Sequence, residues 1–171
     1  MKPTTKDIVY IALLAALCIV ATIIRIPLPN GAMVHLGSAA LFTTSAIFGG
    51  LYGGLGAAIG SAIFDIVTGH TAYTLFSFVI KGLCGIIIGY FTIGVLPPAV
   101  STPRVGYARL LLALLLGAAW TALGYFIAWG IVIDSWTVAL TMLPATFMTS
   151  GVGIVVAVLL YPKLYGLLKK R

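Results

Sequence analysis

A lysine inside a strongly apolar segment is the residue of this chain best placed for chemistry. Lys81 stands in FSFVIKGLCGIIIGY, eight positions after Tyr73 and with no acidic residue near it in sequence. On a helix that spacing puts Lys81 about 12 Å from the helix end. In a membrane helix a charge at such depth costs about 2.5–3.5 kcal/mol on insertion scales, which makes it a candidate binding residue. Two interpretations are open and compatible: an ion pair with Asp65, and hydrogen bonds to a bound solute.

Other polar and aromatic residues point to the same kind of site. The candidates share positions at or near the outer ends of the apolar segments: Asn30, His35, Asp65, His70, Tyr73, Lys81, Trp120 and Tyr125. Trp120 lies deeper than the rest and is better explained as a core residue than as a surface on which a ring stacks. Polar groups and aromatic rings gathered toward one side favour a small-solute cavity open to the outside.

Metal binding and catalysis are not predicted. The two histidines lack the spacing of a metal site, and a solvated loop position explains each of them as well. The sequence contains no HExxH, no paired Glu and no Walker A motif, because GLYGGLGA lacks the GK[ST] ending. No cofactor is expected, and if ATP drives this protein, another chain must bind it.

Composition defines what carries these residues. Of 171 residues, 61% are hydrophobic and 8% are charged, with three Asp, no Glu and a net charge of +7. Soluble domains carry about 25% charged residues, so a soluble enzyme and a disordered chain are excluded. The positive charge is scattered, which argues against a nucleic-acid binder. We predict an all-α integral membrane protein.

The apolar segments fit six transmembrane helices in one domain, 1–171. The predicted spans are 8–24, 36–48, 53–67, 73–95, 108–133 and 138–160, with the glycine cluster at 49–54 forming a helical hairpin. Pro97 and Pro98 close the fourth span. The positive-inside rule places both termini and the 97–107 loop in the cytoplasm. Eight of the ten basic residues share that side: Lys2, Lys6, Arg104, Arg109, Lys163, Lys169, Lys170 and Arg171.

Small residues recur at intervals of four and predict close helix packing. The rows are Gly50, Gly54, Ala58 and Ala62; Gly53, Ala57 and Ser61; Gly56 and Gly60; and Gly85 and Gly89. Packing within the bundle is the favoured interpretation. Ala12 and Ala16, with Ala15 beside them, form a notch on the first helix that either packs inside or docks a membrane partner.

Taken together, three segments resemble a known family. HLGSA at 35–39, AIFGGLYGGLGAAIGSAIFDIVTG and FSFVIKGLCGIIIGY are similar to the S component, the substrate-binding subunit of energy-coupling-factor (ECF) vitamin transporters. The similarity spans nearly the whole chain and is densest from about 30 to 90. The subgroup resembles carriers of riboflavin, pyridoxine and hydroxymethylpyrimidine.

This resemblance implies a six-helix fold with a vitamin pocket near the outer side. It also implies partners: a membrane coupling subunit, contacted through Ala12, Ala15 and Ala16, and two cytoplasmic ATPases in a bacterial plasma membrane. Toppling of the S component would release the solute inward. Hydroxymethylpyrimidine or pyridoxine is the favoured solute, while Lys81 with His70 also suits a carboxylate such as pantothenate.

Two other functions compete with this one. A self-sufficient permease or channel would use the glycine rows as a homo-oligomer interface, and a membrane enzyme would act on lipid. The enzyme is the weakest, because no nucleophile or acid–base pair is placed. No inverted repeat supports an independent transporter.

Overall fold

The computed structural model describes residues 4–96 and 105–169. Within these ranges the chain forms six α-helices, one β-hairpin and one 3-10 turn. The elements are α1 (Thr5–Ile23), β1 (Arg25–Pro27), β2 (Met33–His35), α2 (Gly37–Phe48), α3 (Gly50–Val67), the 3-10 turn (Thr71–Tyr73), α4 (Thr74–Phe91), α5 (Tyr107–Val132) and α6 (Trp136–Lys169).

Five of these helices are long and apolar enough to cross a membrane: α1, α3, α4 with its 3-10 turn, α5 and α6. α2 matches the second predicted span within a residue, but its 12 residues give only about 18 Å of helix against a hydrocarbon core of about 30 Å. Ten of those residues are buried. The described residues therefore hold five helices of spanning length and one shorter apolar helix, α2, which is largely buried by its neighbours.

Residues 25–35, which lie between the first two predicted spans, form an antiparallel hairpin. Arg25 pairs with His35 and Pro27 with Met33, and the Leu28 amide donates to the Ala32 carbonyl at 2.8 Å. Gly31 has φ +81°, which glycine adopts without strain. The hairpin adds a small β element to the predicted all-α fold.

Glycine ends the second helix where the hairpin of helices is predicted. Gly49 has φ +89°, and a Cβ there would come within 2.6 Å of the Leu96 carbonyl oxygen. α3 then begins at Gly50, three residues before its predicted start. Its first amide groups are satisfied by the loop after α4, since the Gly50 and Leu51 amides donate to the Gly94 and Val95 carbonyls.

The last three helices differ from prediction at their ends. α4 stops at Phe91 rather than residue 95, because the chain turns at Gly94 with φ +112°. α5 matches its predicted span within a residue at each end. α6 continues nine residues past 160, through Pro144 and Pro162.

The glycine rows of α3 contact three different helices of the same chain. A Cβ on Gly54 would approach the Gly82 carbonyl of α4, one on Gly60 the Ala15 carbonyl of α1, each within 2.7 Å. Gly53 lies against Ser45 of α2. The prediction that these rows serve internal packing is confirmed, and α3 is the central helix of the fold.

The helix ends lie at two ends of the bundle. We call them the hairpin end, which holds β1 and β2, and the Asp7 end, which holds the starts of α1 and α3. At the Asp7 end the Tyr52 hydroxyl of α3 donates to the Asp7 carboxylate of α1. Arg109 Nε of α5 donates to the Phe91 carbonyl of α4 at 2.6 Å. Most of the predicted 97–107 loop lies outside the described residues, and so do Pro97 and Pro98. The same holds for four of the basic residues: Lys2, Arg104, Lys170 and Arg171. Which end faces the cytoplasm stays a prediction.

Candidate functional site

A cavity of about 140 Å³ lies at the hairpin end, between the strands and the helices beneath them. Hydrogen bonds tie the hairpin to α6, since Thr149 Oγ1 donates to the Met33 carbonyl at 3.4 Å. The Arg25 guanidinium lies over the Phe64 ring of α3, 5.2 Å from its centroid. Six of the eight predicted binding residues line the cavity: His35, Asp65, His70, Tyr73, Lys81 and Tyr125.

Lys81 reaches the cavity from the first half of α4 and is only 4% exposed. Its Nζ donates to Ser38 Oγ at 3.4 Å and lies 5.3 Å from the centroid of the Tyr125 ring. Among the described residues no carboxylate oxygen lies within 4.0 Å of it, and the Asp65 oxygen Oδ2 is buried without a hydrogen-bond partner. Lys81 and Asp65 therefore make no direct ion-pair contact in this structure.

A glycine turn after α3 positions Asp65 and His70. The His70 amide donates to the Asp65 carbonyl at 2.7 Å and the Gly69 amide to the Ile66 carbonyl at 3.3 Å, with Gly69 at φ +80°. These two bonds around a left-handed glycine are a Schellman motif. The motif ends the helix and brings the His70 side chain back to the cavity that Asp65 lines.

Aromatic side chains of α5 form one wall. The Tyr125 ring lies 5.6 Å from the Trp129 ring, and the Tyr125 hydroxyl donates to Ser77 Oγ at 3.1 Å. Both rings line the cavity together with Thr121. A flat apolar wall with hydroxyl groups at its edge suits an aromatic ring that carries polar substituents.

Several lining residues are absent from the predicted set, although a simple spacing rule identifies them. Residues four apart share a helix face, and Ser77 stands four before Lys81, Ser61 four before Asp65, and Trp129 four after Tyr125. All three line the cavity. Extending each candidate by one turn would have found them.

Two predicted residues lie outside the lining. Asn30 is exposed, and its side chain bridges the hairpin turn to α6 by donating to the Thr141 carbonyl at 2.9 Å. Trp120 packs against the main core and donates to the Ile80 carbonyl at 3.0 Å. The structure does not bring either side chain to the other six.

His35 is held neutral by its surroundings. Its Nδ1 accepts the Gly37 amide hydrogen at 3.0 Å, at the start of α2, so the ring proton sits on Nε2. Burial first, then the positive charges of Lys81 and Arg25, lower the His35 pKa from 6.5 to about 3. A neutral imidazole here offers one donor to a ligand.

We expect this His35 pKa to make the protein less stable in acid. Below pH 6.5 His35 is protonated in the unfolded chain but stays neutral in the folded chain. The contribution of His35 to stability is therefore fully present above pH 6.5 and declines as the pH falls towards about 3. The limiting slope is about 1.4 kcal/mol per pH unit, reduced here by the residual exposure of His35. Unfolding in detergent, measured against pH, should show a decline that His35→Gln lessens and His70→Gln retains. Equal declines in wild type and His35→Gln would contradict it.

The predicted partner surface on α1 changes by one residue. Ala12 and Ala16 are exposed, but Ala15 is buried at 4% exposure against α3, where its carbonyl faces Gly60. The assignment of Ala15 to an external surface is thus corrected, because Ala15 lies on the side of α1 that packs against α3. The described residues contain no group of three or more His, Cys, Asp or Glu able to hold a metal ion.

Comparison with known proteins identifies the family of the chain that forms this cavity. The family model for the S component of ECF-type riboflavin transporters matches residues 2–166. The chain belongs to this S component family. As such it is a substrate-binding subunit of a vitamin transporter rather than an enzyme, and its apolar helices make it a multi-pass membrane protein.

Two individual proteins resemble this S component. A protein from Pyrococcus woesei, described as uncharacterised and lying in a gap 3' region, is 32% identical over 111 residues, which is 64% of this chain and 68% of that protein. The solved structure of the S component of a bacterial ECF transporter matches with a TM-score of 0.67 over 96% of this chain and 98% of its own. At 16% identity the second likeness shows the fold alone.

Proposed function

We propose that this S component binds a small hydroxymethylated heteroaromatic ring, hydroxymethylpyrimidine or pyridoxine, on the outside of the plasma membrane. The observation that carries the proposal is the cavity of about 140 Å³ with aromatic, hydroxyl and charged side chains in its lining. An engineered cavity of about 150 Å³ accommodates benzene, so one ring is the size that fits. Three fused flavin rings with a ribityl chain are considerably larger.

The charges in the lining favour an uncharged solute over a carboxylate. Lys81 alone would suit an anion such as pantothenate, but Asp65 lines the same small cavity and would repel it. A neutral ring with polar substituents meets both side chains without that penalty.

Identification of the co-purifying small molecule tests this function. Native mass spectrometry of the protein, extracted in mild detergent from cells, should show one bound species with the mass of a single substituted ring. Isothermal titration with hydroxymethylpyrimidine, pyridoxine, pantothenate and riboflavin should then rank one of the first two highest. Tight binding of riboflavin alone would refute the proposed substrate.

Transport requires partners in this proposal: a membrane coupling subunit and two cytoplasmic ATPases. Ala12 and Ala16 leave a shallow exposed notch on α1, flanked by exposed Leu13 and Leu17. Small residues allow another helix backbone to approach closely in lipid. The glycine rows of α3 already contact helices of this chain, which removes the interface invoked for a self-sufficient homo-oligomer.

We expect Ala12→Leu combined with Ala16→Leu to abolish assembly with the coupling subunit and to leave solute affinity unchanged. The added side chains fill the notch but lie away from the cavity. Co-purification with tagged partners measures assembly, and titration measures affinity. Ala119→Leu, at an equally exposed alanine of α5, is the matched control and should assemble normally. Loss of affinity in the double variant would instead place α1 at the solute.

A further inference from the structure

Two opposite charges line one small cavity without meeting. Lys81 Nζ has three hydrogens to donate, and its only hydrogen bond among the described residues is the 3.4 Å contact with Ser38. Asp65 Oδ2 is buried and accepts none. Lys81 therefore has hydrogens left to donate and Asp65 has an oxygen left to accept. Burying such groups without partners costs free energy.

The side chains around Asp65 leave one of its carboxylate oxygens, Oδ2, without a hydrogen-bond partner. Ser77 Oγ accepts from the Tyr125 hydroxyl at 3.1 Å, and His70 Nδ1 is hydrogen-bonded to Thr68 Oγ1 at 2.9 Å. The Ser77 hydroxyl keeps its own hydrogen, which it donates to the Asp65 side chain, but Oδ2 has no hydrogen-bond partner among the described residues.

The position of Asp65 on its helix also argues against a structural role. It lies in the last turn of α3, where the helix dipole is negative and a carboxylate is disfavoured. A residue that neither stabilises its helix nor forms an ion pair is best explained by what it binds.

We propose that Asp65 selects for a ligand that donates a hydrogen bond, while Lys81 selects for an acceptor on the same ligand. The substrate class is then an uncharged nitrogen heteroaromatic ring with an amino donor on one edge and an oxygen or ring-nitrogen acceptor on the other. An anion would be attracted by Lys81 and repelled by Asp65. A cation would be attracted by Asp65 and repelled by Lys81. This inference rests on the proposed function, since it takes a single ring as the ligand.

A double-mutant cycle between protein and ligand tests the assignment. The probes are 4-amino-5-hydroxymethyl-2-methylpyrimidine and the same ring without its amino group, titrated into wild type and Asp65→Asn in detergent. We expect loss of the amino group to weaken binding by 10-fold or more in wild type and by less than 3-fold in Asp65→Asn. Asp65→Asn is nearly isosteric, and it removes the negative charge and replaces one acceptor oxygen by an NH2 donor. Thermal unfolding checks its fold.

The possible results separate this inference from the function beneath it. Equal affinity of the two probes for wild type overturns the role of Asp65 and leaves the ring-binding function standing, and this comparison needs no variant to fold. Equal discrimination by wild type and folded Asp65→Asn also overturns it. Absence of binding by either probe, with riboflavin or pantothenate bound instead, overturns both proposals.

Discussion

Replacing Lys81 with methionine should weaken solute binding by roughly 10- to 150-fold, the equivalent of one hydrogen bond to a charged group, about 1.5–3 kcal/mol. Methionine fills similar space, so no void should form, and it removes a buried charge that has no ion-pair partner among the described residues. We therefore expect the thermal unfolding midpoint to stay the same or rise. Isothermal titration and thermal unfolding in detergent measure the two quantities.

Lys163→Met is the matched control for this change. Lys163 is exposed near the Asp7 end of α6, so its replacement should alter neither affinity nor stability. Unchanged affinity in folded Lys81→Met would show that Lys81 contributes to structure only. Lower stability with unchanged affinity would show that its contacts with Ser38 and Tyr125 outweigh its desolvation.

The second large effect is expected at Gly54, where α3 meets α4. A Cβ there would lie 2.7 Å from the Gly82 carbonyl oxygen and 3.5 Å from the Gly85 Cα. Backbone atoms cannot yield without moving the helix, so Gly54→Ala should destabilise the protein by about 1–3 kcal/mol. Since α4 carries Lys81, affinity should fall as well.

Gly151→Ala separates this packing effect from the general effect of alanine. Nothing lies within 4 Å of a Cβ on Gly151 in α6, and alanine is favoured over glycine in helices by about 1 kcal/mol. Unfolding midpoints should therefore fall for Gly54→Ala and hold or rise for Gly151→Ala. Equal midpoints for the two variants would mean that α3 and α4 separate at little cost.

The parts of the fold that could be predicted are those that single residues dictate. Glycine tolerates the left-handed backbone of a helix break, so a break within the 49–54 cluster follows from sequence, although only Gly49 makes it and Gly50, Gly53 and Gly54 lie inside α3. Small residues four apart must face something close, so the packing rows of α3 follow too. The membrane class follows from composition alone.

What could not be predicted depends on neighbours that are distant in sequence. The strands at 25–35 pair across a turn, with Arg25 opposite His35. Strands of three residues are too short for an alternating hydrophobic pattern to predict them. Periodicity places Ala12 and Ala16 on one face, but only the packing of α3 shows that Ala15 belongs to another.

The candidate site was predictable as a set of residue types and not as an arrangement. The six lining residues could be recognised as polar or aromatic groups near helix ends. Their spacing in sequence does not determine the distance between Lys81 and Asp65, so whether the two side chains touch could not be predicted. Asn30 and Trp120 have the right chemistry and approximate depth. Their partners, the carbonyls of Thr141 and Ile80, turn them away from the cavity.

The close backbone contact between α3 and α4 also determines where binding loses entropy. Asp65 and Lys81 stand on two helices that touch through Gly54 and Gly82, so their spacing is set when the chain folds. Preorganised groups need little further ordering when a ligand arrives. Little conformational freedom of these two helices therefore remains to be lost when a ligand binds.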